Sequence, residues 1–359
     1  MVRKTNFFVI TLILILLMSA CAGTQAPVVE ENASATDLSA IKTYLLDKSS
    51  ELTMSSGALK EASDKYYELA NAAGFDYAVL WESNPAEVSA ALNDAKSAWM
   101  AASPLYEQME GIVAGTPSLA EYDVILDAGA SGEEDSENAV PFDLTLPDGR
   151  VLPKPGNLFG VLESTLWGTY AGFTSGIEAD LDGNGTVDFG EKLPDANVLK
   201  ASADALDKYT NELGTSAAAW EPTESDAFTA LVVMIPTMSE YFNSWKNSRF
   251  ILGEASEQRD FVVISRLSDI QNILGSLQIV YSEVKPLVES TDAAQATQIE
   301  QGITDLKSFV ADVYARERGG YQHTPEEADL LGAEAQNRAT AIAGQVAQIA
   351  AKLNITIEE

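Results

Sequence analysis

Apolar residues recur every seven positions at Leu38, Leu45, Leu52, Leu59 and Tyr66, and Ile41, Ala62 and Leu69 fill the adjoining stripe. This spacing predicts one long amphipathic bundle helix with a bend at Gly57. Asn84-Pro85-Ala86-Glu87 opens a second helix, with proline in its first turn, where the missing N–H costs nothing. That helix carries Val88, Leu92, Ala95 and Trp99, and Pro104 starts or kinks the segment PLYEQMEGIV. The pattern breaks over residues 127–157. There DAGASGEEDSENAV reads as an acidic loop and FDLTLPDGRVL as a small β-hairpin turning at Pro147-Asp148-Gly149. A helix is expected over about 157–178, and another from Asp195 to Leu213.

The second half is more regular. Residues 223–253, 257–290, 293–317 and 324–353 each read as a long helix, the last opened by the capping box Thr324-Pro325-Glu326-Glu327. Helices of this length with short connections predict an antiparallel bundle. The expected fold is all-α: two helical-bundle halves, 36–217 and 218–356, with the hairpin and a cation-binding loop inserted in the first. Trp81, Trp99, Trp167, Trp220 and Trp245 fall on helical segments or their ends, which reads as core packing.

Residues 180–191, DLDGNGTVDFGE, have the spacing of an EF-hand calcium loop. Asp180, Asp182 and Asn184 stand at its positions 1, 3 and 5, and Gly185 at the sharp turn. Thr186 offers its carbonyl, Asp188 takes the water-bridged position and Glu191 the bidentate one. Ca²⁺ takes about 6–8 oxygens, which this loop can supply. Pro194 follows closely and argues against a regular exiting helix, and no second loop of the kind is visible. A structural ion is therefore expected rather than a paired sensor, bound at roughly 10⁻⁴–10⁻³ M.

The start of the chain is set apart from the fold. Arg3 and Lys4 precede the apolar run Phe7–Met18, which is short for a membrane span and ends in Met18-Ser19-Ala20-Cys21. This predicts a lipoprotein signal peptide over residues 1–20, lipidation at Cys21 and a flexible tether over 21–35. The folded part would then sit outside the cytoplasm, in the cell envelope. Cys21 is the only cysteine, so the chain can form no internal disulfide and no cysteine pair for zinc. The formal net charge is −32. Such a chain repels nucleic acid and anionic headgroups and attracts cations.

Several segments resemble the imelysin-like family, especially its EfeO-type iron-uptake lipoproteins. YEQMEG at 106–111 is similar to that group's tyrosine-and-double-glutamate helix. LFGVLESTLWG at 158–168 is similar to the segment that holds a His-x-x-Glu pair, and SDIQNILGSLQIVYSEVKPLV to the helix that begins Asp-Phe-Gln. The resemblance covers nearly the whole mature chain. It implies capture or delivery of iron or another cation, with an iron permease as partner, and a cleft between halves lined by Tyr106, Glu107, Glu110, Glu163 and Asp269.

Two departures stand out. The motif histidine is replaced by Gly160, and Val263-Ile264-Ser265-Arg266 stands where a Ser-His-Thr-Asp run is usual. Imidazole is a natural ligand for iron, copper or zinc. Its loss weakens the metallopeptidase assignment that the His-x-x-Glu segment otherwise carries.

Two readings of the acidic residues stay open. Glu107 and Glu110, three apart, share a helix face that is either solvated or turned to a hard cation. Asp269 lines the same cleft or makes a helix-start hydrogen bond. His323, the only histidine, is expected on an exposed loop. No Gly-x-Ser-x-Gly motif accompanies it. The functional expectation is a cation-binding component, and its rival is a structural or partner-binding lipoprotein whose only ion is calcium.

Overall fold

The computed structural model describes residues 36–358, which form one compact unit. The expected signal peptide, the expected lipidation site Cys21 and the expected tether lie outside the described residues. Among the described residues, no helix is long and apolar enough to cross a membrane.

Helix α1 (Ser39–Ala72) buries its heptad stripe completely, from Ile41 and Leu45 to Leu59 and Tyr66. After the short α2 (Tyr77–Ser83), α3 (Pro85–Val113) begins at the expected proline and passes through Pro104 without ending. Helix α3 packs against α1 on one side and, nearer its C-terminal end, against α10 (Arg266–Arg318) on another. Gly111 permits this second approach. A Cβ there would stand 2.5 Å from Ser276 Oγ and 2.9 Å from Leu277 Cγ. The glutamates of α3 are thereby pressed against the start of α10 rather than into solvent.

The chain turns back through α4 (Ala120–Asp123) and a π-helical turn, Val124–Ala128. The expected hairpin forms as β1 (Leu144–Thr145) and β2 (Val151–Leu152), antiparallel, with Leu144 opposite Leu152. Beyond it the structure departs from the sequence reading. The helix expected over 157–178 is only α5 (Leu158–Leu166), capped by the Asn157 side chain. It is followed by β3 (Thr174–Glu178), which pairs antiparallel with β4 (Lys192–Pro194). The positive φ values of Gly168 and Gly176 remove this stretch from the helical basin. The twelve-residue acidic loop therefore hangs between two strands, not two helices. Pro194 ends β4, and Asp195 caps α6 (Ala196–Ala219) through the Asn197 and Val198 amides.

The expected helix over 223–253 is broken into α7 (Glu224–Met234), α8 (Met238–Asn247) and α9 (Arg249–Leu252). Pro236 interrupts the first junction, and Ser248, in extended conformation, the second. Residues 256–265 are not helical, so the helix expected from 257 begins at Arg266. It then runs on through the expected break, kinked at Asp292, to Arg318. Helix α11 (Pro325–Leu353) starts with the full capping box, Thr324 to the Glu327 amide and Glu327 to the Thr324 amide. One hydrophobic core runs from Leu38 to Ala350, and a small satellite (Leu144, Leu146, Val161, Phe173, Val198, Ala201) lies under the first hairpin. The boundary expected near residue 217 falls in the last turn of α6. Of the five tryptophans, Trp99, Trp220 and Trp245 are buried, and Trp81 and Trp167 are partly buried against the core.

His323 is not on an exposed loop. It is 2% exposed, edge-on to Trp245 and Tyr321 at 5.2 and 4.6 Å. Burial lowers its pKa and so disfavours the charged ring. Its nearest carboxylate is Glu327, 3.7 Å from Nδ1.

Candidate functional site

Helices α3, α4, α8 and α10 converge at the floor of a cleft of about 480 Å³, lined there by Glu110, Asp123, Asp127, Tyr241 and Arg266. Five carboxylates are buried at or beside this floor: Glu110 of α3, Asp123 at the end of α4 and Asp127 in the π turn line it, and Glu107 of α3 and Asp269 in the first turn of α10 lie next to them around Arg266. Oxygens of Glu107, Glu110 and Asp127 lie within 4.8 Å of one another. Two of the five have a hydroxyl partner. Tyr106 donates to Asp123 Oδ1 at 2.7 Å, and Tyr241 donates to Glu110 Oε1. Glu107 Oε2, Glu110 Oε2 and Asp269 Oδ1 are buried with no hydrogen-bond partner among the described residues. An orphaned carboxylate oxygen in a low-dielectric site is costly unless it meets a proton or a cation.

One cation is built in. Arg266 Nη1 stands 2.9 Å from Asp269, 3.5 Å from Glu107 and 3.9 Å from Asp127. Its guanidinium packs on two rings, 3.8 Å from Phe261 and 4.4 Å from Tyr241. Burial works against its charge, but Asp269, Glu107 and Asp127 together hold its pKa well above the ordinary value. A single guanidinium cannot neutralise five carboxylates. Burial, with like charges alongside, accordingly pushes the acids up: Asp123 to about 8, Asp269 to about 6, and Glu107 and Asp127 well above the usual range.

Glu163 belongs to a different arrangement. It projects from α5 and accepts three backbone N–H bonds, from Phe261 at 2.6 Å, Val262 at 2.8 Å and Val263 at 3.0 Å. Burial and neighbouring Asp260 push its pKa up to about 8, against the pull of those three donors. Phe261 has φ of +54°, a strained value for an aromatic residue. Glu163 holds that backbone in place, and the Phe261 ring then covers Arg266.

The second candidate site is the β3–β4 loop. Oxygens of Asp180, Asp182 and Glu191 lie within 4.8 Å of one another. Asp180 accepts from the amides of Gly183, Asn184 and Gly185, and Glu191 from those of Leu181, Asp182 and Asp188. Gly185 has φ of +89° at the sharp turn. Asn184 donates to Asp188, and Thr186 to the Asn184 side chain. Two side chains of α3 reach across to the loop: Asn93 donates to the Leu181 carbonyl at 3.2 Å, and Lys96 to that of Gly190 at 2.7 Å.

The profile of the imelysin family, peptidase M75, matches residues 44–353. The chain belongs to the imelysin family. Comparison with the curated proteins found no match.

In this imelysin-family chain the segment 158–168, which resembles a His-x-x-Glu segment, presents no metal-binding pair at Gly160 and Glu163. Gly160 offers no ligand, and a Cβ there would stand 2.7 Å from Asp260 Oδ2 and 3.0 Å from Asn157 Oδ1. The Glu163 carboxylate is spent on the backbone. A zinc-hydrolase site of firm nitrogen and oxygen ligands with an open water position does not fit these residues. The Glu107, Glu110 and Asp127 set fits a hard cation instead, since every donor is a carboxylate oxygen.

Of the expected cleft residues, Glu107, Glu110 and Asp269 come together. Tyr106 joins them indirectly, through Asp123, and Glu163 lies apart as a backbone staple. Asp123, Asp127, Tyr241 and Arg266 were not read as site residues from the sequence. The available signal was the pair of aspartates four apart around an apolar triplet in EYDVILDAG.

Proposed function

We propose that this imelysin-family protein binds a hard multivalent cation at the Glu107–Glu110–Asp127 cluster, with iron(III) the foremost cargo, for capture or delivery. The carrying observation is the three converging carboxylates, two of them with a buried oxygen that lacks any partner. Family membership supports an iron-related role. The sequence adds the setting: lipidation at Cys21, an extracytoplasmic location in the cell envelope and delivery to an iron permease. The net charge of −32 makes nucleic acid a poor partner. A Ca²⁺ ion in the 180–191 loop would brace the β3–β4 hairpin against α3.

The rival reading is a structural or partner-binding lipoprotein whose only ion is calcium. The engagement of Glu163 with backbone amides and the guanidinium already at the cluster favour it. A metallopeptidase is disfavoured by Gly160.

Calorimetric titration of the metal-free protein with Ca²⁺ and with Fe³⁺-citrate separates the readings, using Asp180→Ala and Glu110→Gln variants. Two independent sites are expected: Ca²⁺ binding lost only in Asp180→Ala, and iron binding lost only in Glu110→Gln. Ca²⁺ binding alone would transfer the case to the rival.

A further inference from the structure

We infer that Arg266 is a tethered competitor at the cation site: its guanidinium and the incoming ion share Glu107 and Asp127, so the ion binds by displacing Arg266 toward Asp269. The inference rests on the cation-binding reading and adds how that site is regulated.

Four observations carry it. First, Glu107 and Asp127 belong both to the trio whose oxygens lie within 4.8 Å and to the carboxylates around Arg266 Nη1. Second, the contacts are graded. Asp269 is close at 2.9 Å, whereas Glu107 and Asp127 are at 3.5 and 3.9 Å. The guanidinium is thus anchored on the residue outside the trio and only leans on the two within it. Third, unmatched groups remain on both sides, with Glu107 Oε2, Glu110 Oε2 and Asp269 Oδ1 orphaned and Arg266 Nε unpartnered. A fully satisfied structural ion pair would leave none of these buried atoms unpaired. Fourth, the guanidinium lies 3.8 Å from the Phe261 ring centroid and 4.4 Å from that of Tyr241, contacts that hold it at the cluster without using up carboxylate oxygens.

A tethered cation acts at a high effective concentration, so monovalent ions from solution compete poorly with it. A divalent or trivalent ion gains more from the same carboxylates and can prevail. Arg266 therefore selects for charge and lowers affinity, which favours release to a downstream acceptor over permanent retention.

The test uses Mn²⁺ as the probe, with free ion counted by electron paramagnetic resonance. All proteins carry Asp180→Ala so that the hairpin loop contributes no binding. The key variant is Arg266→Met with Asp269→Asn, which removes the guanidinium and its anchor and keeps the net charge of the cluster unchanged. Its affinity for Mn²⁺ is expected to be at least about tenfold higher than the parent's, because Glu107 and Asp127 are freed from the guanidinium that competes for them while the net charge stays the same. Binding by the variant where the parent has none would support the inference equally. Unchanged or weaker binding by the variant, with the parent binding, overturns the inference alone. No binding by either protein removes the cation site and the inference with it.

A measurement on the Asp180→Ala parent guards against misfolding of the double variant. The Arg266 Nε–H resonance, assigned by its absence from Arg266→Lys, should move as diamagnetic Mg²⁺ is added. A resonance that stays still while Mg²⁺ binds sinks the displacement.

Discussion

At the residue scale, Glu163 has exchanged one expected task for another. The sequence singles it out as a metal ligand, and the fold uses it to hold three amides of the segment that walls the cleft. Removing a partner from buried donors costs more than the bond itself returns, since the donors are left stranded. Glu163→Ala is therefore expected to destabilise the protein by about 2–4 kcal/mol in urea unfolding. Glu163→Gln, which keeps one acceptor oxygen, should cost less, and equal losses would refute the staple. Glu107 and Glu110 were legible because three-residue spacing on one helix fixes a shared face. Arg266 was not, because two of its three carboxylate partners, Glu107 and Asp127, lie far away in sequence and meet it only through tertiary packing. The positive φ of Phe261 is likewise invisible in the sequence, as it is imposed by the surrounding contacts rather than preferred by the residue.

At the element scale, most helices were readable from periodicity and caps, and the long connections were not. The apolar run before Trp167 looks helical for longer than it is, and only the glycines at 168 and 176 betray the switch to β3. Residues 256–265 failed for a related reason. Three of them, Arg259, Asp260 and Phe261, form part of the cleft wall, and the positive φ of Phe261 keeps the stretch out of the helical basin. The β3–β4 hairpin yields a direct expectation. At 10 mM Ca²⁺, a site in the 180–191 loop with affinity of roughly 10⁻⁴–10⁻³ M adds about 1.4–2.7 kcal/mol of stability. Calorimetric scans should show melting raised by a few degrees in the parent, and no change in Asp182→Ala. Because Lys96 and Asn93 tie the loop to α3, hydrogen exchange in the middle of α3 should slow on Ca²⁺ addition in the parent only.

At the scale of the whole molecule, the buried acids make stability depend on pH in a defined direction. Asp123, Asp269 and Glu163 have folded pKa values raised to about 8, 6 and 8, against about 4 when unfolded. A group raised in this way favours folding below its unfolded pKa and loses that contribution as pH rises through the folded value. The metal-free protein is therefore expected to melt progressively lower between about pH 5 and pH 8.5, and a bound multivalent cation should flatten the decline. A metal-free melting temperature that rises across this window would contradict the assignment. Gly160 and Asp260 also bear on the routes by which such a chain can change. A side chain at 160 would meet Asp260 Oδ2 at 2.7 Å, so an imidazole cannot enter while Asp260 keeps its place. The two positions are coupled: histidine at 160 must push the Asp260 carboxylate and the Asn157 amide aside, and Asp260→Ala removes the tighter of the two contacts. A mutational library is thus expected to tolerate histidine at 160 better together with a smaller residue at 260 than alone.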